Sequence, residues 1–299
     1  MFRKAIEALI AEERAKRHTV LADRIAEELN RTPHTNGQIK VSRGPIEDLV
    51  VERAARRELS DLILAQSVRT PLEELVEEQH RADLLRAHNL EPRHRVLLTG
   101  PPGNGKTSVA EGLASALMVP LVAIRYDGVI GSYLGETATR LRRVFEYVRT
   151  RPCVLFFDEF DTLGKERGDE HDSGEIKRVV SSLLLQVDDL PPYVVVVTAT
   201  NHPELLDRAV WRRFQLRLEL PQPSRAQVCQ YIEAAGKKLN SDFGYAPRTL
   251  ADKLVGGSYA EIEEFVTDVV RRHVLTQPAD DLKAIVKSRL EQWSSRVER

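Results

Sequence analysis

The run Gly100-Pro101-Pro102-Gly103-Asn104-Gly105-Lys106-Thr107 has the residue types and spacing to hold a triphosphate, fitting G-x-x-x-x-G-K-[ST] without a mismatch. An apolar stretch, Val96 to Leu98, stands before it, and Ser108 to Leu117 carries Ala110, Leu113, Ala114 and Leu117 at helical spacing. Strand, glycine-rich loop and helix N-terminus together make an anion cradle. Glycine lets backbone N–H groups turn inward around phosphates. Lys106 is placed to reach the β- and γ-phosphates, and the Thr107 hydroxyl to join a Mg²⁺ shell. Pro102, Gly103, Asn104, Gly105, Lys106, Thr107 and Ser108 are therefore the expected nucleotide-binding set.

Further candidates lie downstream. Val154-Leu155-Phe156-Phe157 ends in two carboxylates, Asp158 and Glu159. Acids at the end of a buried strand are costly unless something compensates them. Asp158 suits a Mg²⁺ contact beside Thr107; Glu159 can orient or deprotonate a water facing the γ-phosphate. Asp161 is either a further carboxylate near the site or a helix cap. Asn201 closes the run Val194-Val195-Val196-Val197-Thr198-Ala199-Thr200, where it holds an attacking water or forms an Asx-turn before Pro203. Arg212 and Arg213, on a loop after a short helical stretch, are candidate arginine fingers, because planar guanidinium groups match phosphate oxygens. The bland alternative is a solvated surface pair. Tyr133 and Leu134, at a loop tip beside Gly135, are expensive to expose, so they touch either a partner or the core.

The elements that must position these groups alternate. Strands are expected at Val96–Leu98, Pro120–Ile124, Val154–Glu159, Val194–Asn201 and Leu216–Leu220, with helices at Ser108–Leu117, Ala138–Arg149 and Gly174–Val187 between them. That order predicts an α/β fold, a parallel sheet covered by helices on both faces, with its ligand at the carboxyl ends of the strands. After Pro221-Gln222-Pro223 only helical segments follow, at Ser224–Lys238, Pro247–Val255, Tyr259–Val274 and Asp280–Trp293. Before the sheet the chain reads as a charge-rich helical arm. It includes helices over residues 2–30, Ile46–Gln66 and Thr70–His88, the last opened by Thr70 as cap and Pro71 at the first helical position. Three regions are thus expected: a helical arm at 1–88, an α/β nucleotide-binding domain at 89–222 and a helical domain at 223–299.

Composition restricts the partners. Lys and Arg total 44 against 45 Asp and Glu, so no overall field draws nucleic acid. No long apolar span and no signal peptide are read, which argues against a membrane partner. Cys153 and Cys229 are the only cysteines and offer no metal spacing or disulfide framework, so a reducing cytoplasm is the expected location.

Taken as a set, these motifs resemble the AAA-type ATPase of the AAA+ superfamily, over about residues 70 to 295. Gly100 to Thr107 resembles Walker A, with Asn104 where Thr or Cys is more frequent. Phe156-Phe157-Asp158-Glu159 resembles Walker B, which implies Asp158 for Mg²⁺ and Glu159 as catalytic base. Thr198-Ala199-Thr200-Asn201 and Leu206 to Phe214 resemble the second region of homology, which implies Asn201 as sensor 1 and Arg212 and Arg213 as fingers. Ser132-Tyr133-Leu134-Gly135-Glu136 is similar to the first pore loop of the katanin-like peptide-threading group, which implies that Tyr133 and Leu134 grip a protein substrate, with Gly164 to Ser173 as second pore loop. Gly257-Ser258-Tyr259-Ala260-Glu261-Ile262 resembles the small-domain signature of the same family, the lid. The resemblance implies ATP and Mg²⁺ as cofactors and a homo-oligomeric ring, a hexamer, that remodels, unfolds or threads proteins. Stand-alone bacterial members also make a separate serine protease a candidate partner. Two competing readings are a scaffold that uses ATP only to present its arm to a partner, disfavoured by the intact Glu159, and a nucleic-acid motor, disfavoured by the balanced charge.

Overall fold

The computed structural model describes residues 46–129, 134–161, 182–239, 243–276 and 282–297. The expected helices over residues 2–30, Tyr133 and the segment Gly164 to Ser173 lie outside these residues.

Among the described residues six strands form one sheet: β1 (Val50–Arg53), β2 (Arg95–Thr99), β3 (Leu121–Ile124), β4 (Cys153–Phe157), β5 (Val194–Thr200) and β6 (Leu216–Glu219), in the spatial order β1-β3-β4-β5-β2-β6. Every pairing is parallel except that of β1 with β3, which runs antiparallel with Val50 opposite Ile124. The four inner strands, β2 to β5, are apolar almost throughout because both faces are covered. Side chains alternate between the faces with period two. Leu97, Leu155, Val194 and Val196 enter one core, whereas Val96, Leu98, Val154, Val195 and Val197 enter the other.

The helices are α1 (Gln66–His80), α2 (Ala82–Ala87), α3 (Lys106–Ala116), α4 (Tyr126–Val129), α5 (Leu134–Val148), α6 (Arg208–Arg213), α7 (Arg225–Leu239), α8 (Pro247–Leu254), α9 (Tyr259–Thr276) and α10 (Leu282–Val297). Residues 182–188 are helical as well. On one face of the sheet, Leu141, Val144, Phe145 and Val148 of α5 pack with Leu183, Leu184 and Val187. On the other, Val109, Ala110 and Leu113 of α3 meet Val68, Leu72 and Leu75 of α1. The last four helices enclose a core of their own, in which Phe265 meets Trp293 edge-on at 6.0 Å between ring centroids. No helix among the described residues is long and apolar enough to cross a membrane.

Several expectations need correction. No helix spans Ile46–Gln66. Val50-Val51-Glu52-Arg53 is instead an edge strand, and Leu59 packs beside α3. Residues 46–88 therefore build on the sheet rather than continue a helical arm. Residues Val50 and Val51 favour a strand, and the unpaired edge of β3 supplies their hydrogen bonds. The helix expected from Thr70 begins earlier, at Gln66, and Pro71 lies inside it. Val68, Leu72 and Leu75 form one buried stripe, so burial of Val68 extends the helix in front of the proline. The first pore loop was expected to run past Leu134, but Leu134 opens α5. Arg212 and Arg213 sit in the last turn of α6 rather than on a loop.

Candidate active site

A cavity of about 380 Å³ opens at the carboxyl ends of β2, β4 and β5. Its walls include the whole run Pro102 to Ser108 together with Asp158, Glu159 and Asn201, so the structure brings all of these expected residues together. That position is where open α/β sheets bind ligands.

The loop owes its shape to glycine. Gly100, Gly103 and Gly105 have φ of +133°, +76° and +88°, which a Cβ disfavours. Gly100 also lies against β6: a Cβ there would stand 2.2 Å from the Leu220 carbonyl oxygen. Gly100→Ala should therefore destabilise the fold by about 3 kcal/mol, from backbone strain plus overpacking, read as a lowered melting temperature. Gly105 precedes α3, so the first N–H groups of that helix face the cavity end of the loop. Lys106 Nζ donates to the carbonyl oxygens of Gly100 and Pro101, at 2.7 and 2.9 Å. Burial pushes its ammonium below the usual lysine range, while the nearby carboxylates of Asp158 and Asp161 pull it back up.

Thr107 Oγ1 donates to Asp158 Oδ2 at 3.2 Å, across the end of β5. A hydroxyl and a carboxylate so close are hard oxygen donors, the set Mg²⁺ takes beside phosphates. Asp158 Oδ1 accepts the backbone N–H of Glu159 at 3.0 Å. Glu159 then turns through φ +47°, a conformation rare outside glycine and frequent where function over-determines the backbone. Asp158 and Glu159 both lie on the cavity wall. Asp161 is buried and accepts the Thr200 hydroxyl at 2.8 Å, which ties the end of β4 to β5. Asn201 forms no Asx-turn. The N–H of His202 is taken by Thr200 Oγ1 at 3.0 Å, and Asn201 Oδ1 is buried with no partner among the described residues. An orphaned acceptor on the wall of a cavity can be met by a water.

Arg212 and Arg213 are not part of this wall. Arg213 pairs with Asp188, whose other oxygen takes Arg95 Nη1 at 2.5 Å. Arg95 begins β2, whereas the glycine-rich loop follows its end, so about 13 Å of strand separates the two at the usual rise per residue. Arg212 is exposed, with no partner among the described residues.

A family model described as "ATPase family associated with various cellular activities (AAA)" matches residues 96–222. An uncharacterized AAA family ATPase of Sinorhizobium fredii is 37% identical over 281 residues, 92% of this chain and 84% of that protein. The chain belongs to the AAA family.

As an AAA ATPase it hydrolyses ATP. It is also similar to the cell division cycle protein 48 homolog of Archaeoglobus fulgidus, 36% identical over 60% of this chain and 25% of that protein. The peroxisomal ATPase pex6 of Schizosaccharomyces pombe is 43% identical over 42% of this chain, and the match covers 14% of it. The chain thus spans only a fraction of these two longer relatives.

Sequence reasoning missed half of the AAA cavity. Arg57, Asp61, Leu62, Ile63 and Leu64 form one side of it, and Tyr231, Tyr259, Ala260 and Glu263 of the lid another. These apolar and aromatic surfaces suit a base. The first group was hidden by the expectation of a helix over Ile46–Gln66, although Leu62-Ile63-Leu64 has no helical period. The second group has one readable signal. Ser258-x-x-Glu261 is a capping box, realised by Ser258 N donating to Glu261 Oε2 at 2.7 Å and Glu261 N to Ser258 Oγ at 3.3 Å. It fixes the start of α9, which is where the lid meets the glycine-rich loop.

Proposed function

We propose that this AAA ATPase works as a homo-oligomeric ring, a hexamer, that remodels, unfolds or threads protein substrates. In each cavity Lys106 holds the β- and γ-phosphate oxygens, and Thr107 and Asp158 hold Mg²⁺, which when bound neutralises phosphate charge. Glu159 orients the attacking water and receives its proton, and Asn201 fixes that water from the β5 side. The exposed Arg212 of a neighbouring copy closes the cavity over the γ-phosphate, while Arg213 stays anchored on Asp188 and supports it.

The observation that carries this reading is the separation within one copy: the triphosphate cradle at the carboxyl ends of the strands, the arginine pair near their amino ends. A guanidinium that cannot reach its own cavity serves that of another copy, and a heterologous contact repeated by rotation closes a ring. Threading rests on Tyr133, whose motif matches an aromatic grip. Tyr133→Ala is expected to leave basal ATP hydrolysis within about threefold while abolishing unfolding of a tagged protein, a difference too large for an ordinary surface change. Unfolding at the wild-type rate by that variant would end the threading part. A reducing cytoplasm fits the free thiols of Cys153 and Cys229. A separate serine protease is the partner to seek in a pull-down with a variant that traps substrate.

A further inference from the structure

The lid rests directly on the glycine-rich loop. Ala260 N donates to the Gly103 carbonyl oxygen at 3.0 Å, and a Cβ on Gly103 would stand 2.8 Å from Ser258 Oγ. Tyr259 reaches over the same seam, its hydroxyl donating to Ile63 O at 2.8 Å. Asn104 sits in the middle. The residue is 3% exposed, and it lines the cavity. Asn104 Oδ1 accepts the N–H of Tyr259, in the first turn of α9, at 3.4 Å. Asn104 Nδ2 is buried with no partner among the described residues.

The orientation of the amide follows from its neighbour. Only an oxygen can accept the Tyr259 N–H, so the amino group must face the other way. A buried NH₂ with neither donor satisfied is costly, and native structures rarely leave one so. The loop carbonyls of Gly100 and Pro101 are already taken by Lys106, and that of Gly103 by Ala260. What the cavity adds when filled is a chain of phosphate oxygens, which are strong acceptors.

We propose that Asn104 is a second phosphate ligand built into the seam: its amino group donates to a phosphate oxygen of the bound nucleotide, directly or through one ordered water, while its carbonyl holds the N-terminus of the lid helix α9. One side chain then joins the phosphates to the lid, so the angle of the lid depends on whether the cavity holds phosphate. A threonine or cysteine at this position has a shorter side chain, so the amide reaches farther from the loop in both directions. The inference rests on nucleotide binding by the cavity and needs no ring.

The test compares affinities of the full chain for ATP and for adenosine, the latter by competition against a fluorescent ATP analogue. Asn104→Ala loses the Tyr259 contact as well, so both ligands can weaken, but ATP is expected to weaken by about ten- to a hundredfold more than adenosine, the worth of a hydrogen bond to a charged group. A seam residue that only places the lid would move Tyr231 and Tyr259 off the base, and ATP and adenosine would weaken by the same factor. That result, or no loss for ATP, overturns the proposal. Should the alanine variant lose its melting transition, Asn104→Leu keeps the volume and removes both polar atoms, and an unchanged ratio of ATP to adenosine affinity there is equally fatal. Lys106→Ala separates this from the reading of the cavity itself. If Lys106→Ala binds ATP as wild type does, the cavity is not the triphosphate site. If it does not, while Asn104→Ala does, the cavity stands and Asn104 is not a phosphate ligand.

Discussion

Arg212→Ala protein is expected to bind ATP normally and to hydrolyse it on the order of 10³–10⁵ times more slowly than wild type, the usual worth of an arginine finger. The cause lies in geometry within one copy. Arg212 is exposed at the end of the sheet opposite the cavity and is not on the cavity wall. Its removal therefore leaves every phosphate contact of its own subunit intact. The decisive form of the experiment mixes Arg212→Ala with Glu159→Gln. Each protein alone should be nearly inactive. In a mixed ring, a cavity of the first variant keeps its Glu159 and borrows Arg212 from a neighbour of the second. With random one-to-one mixing, half of the cavities are competent and half of their neighbours carry the arginine, so roughly a quarter of the wild-type activity per site should return. An arginine acting within its own copy would restore nothing. Arg213→Ala should cost less, because Arg213 is already engaged by Asp188 beside Arg95.

Glu159→Gln carries the second large effect. Turnover should fall on the order of 10²–10⁴-fold, the range for loss of a general base, while ATP affinity stays within about threefold. The substitution keeps shape and removes the charge, so it leaves the turn at φ +47° as it is. It also leaves the Thr107 to Asp158 contact untouched, because Asp158 rather than Glu159 accepts that hydroxyl. Binding and hydrolysis should therefore separate in single-turnover measurements. Fast hydrolysis by Glu159→Gln would show that another group takes the proton. A variant that binds ATP and does not release it as ADP is also the natural trap for a bound protein substrate.

The glycine-rich loop, the acids after β4 and the alternation of strand and helix were all legible, because each is a local pattern. A glycine-rich spacing and continuous apolar runs bounded by turns need no knowledge of distant residues. The stretch from Ile46 to Leu64 was not legible. Its residues tolerate a helix locally, and the unpaired edge of β3 and the exposed side of α3 turn them into a strand and a cavity wall. The lid half of the site was hidden for a related reason. Tyr231 and Tyr259 stand far along the chain, and their rings come within 6.2 Å of each other only when α7 and α9 pack.

By itself the sequence determined which groups are present: a glycine-rich loop with its lysine and threonine, two adjacent carboxylates and a pair of arginines. The tertiary structure decided who serves whom. Asp158 turned toward Thr107, Asp188 claimed Arg213, and Asn104 linked the loop to the lid. Those assignments depend on hydrogen bonds and ion pairs between residues widely separated in sequence, each within a few ångströms in space. Motif spacing records which groups are present, and only packing of the sheet against its helices fixes which of them can touch.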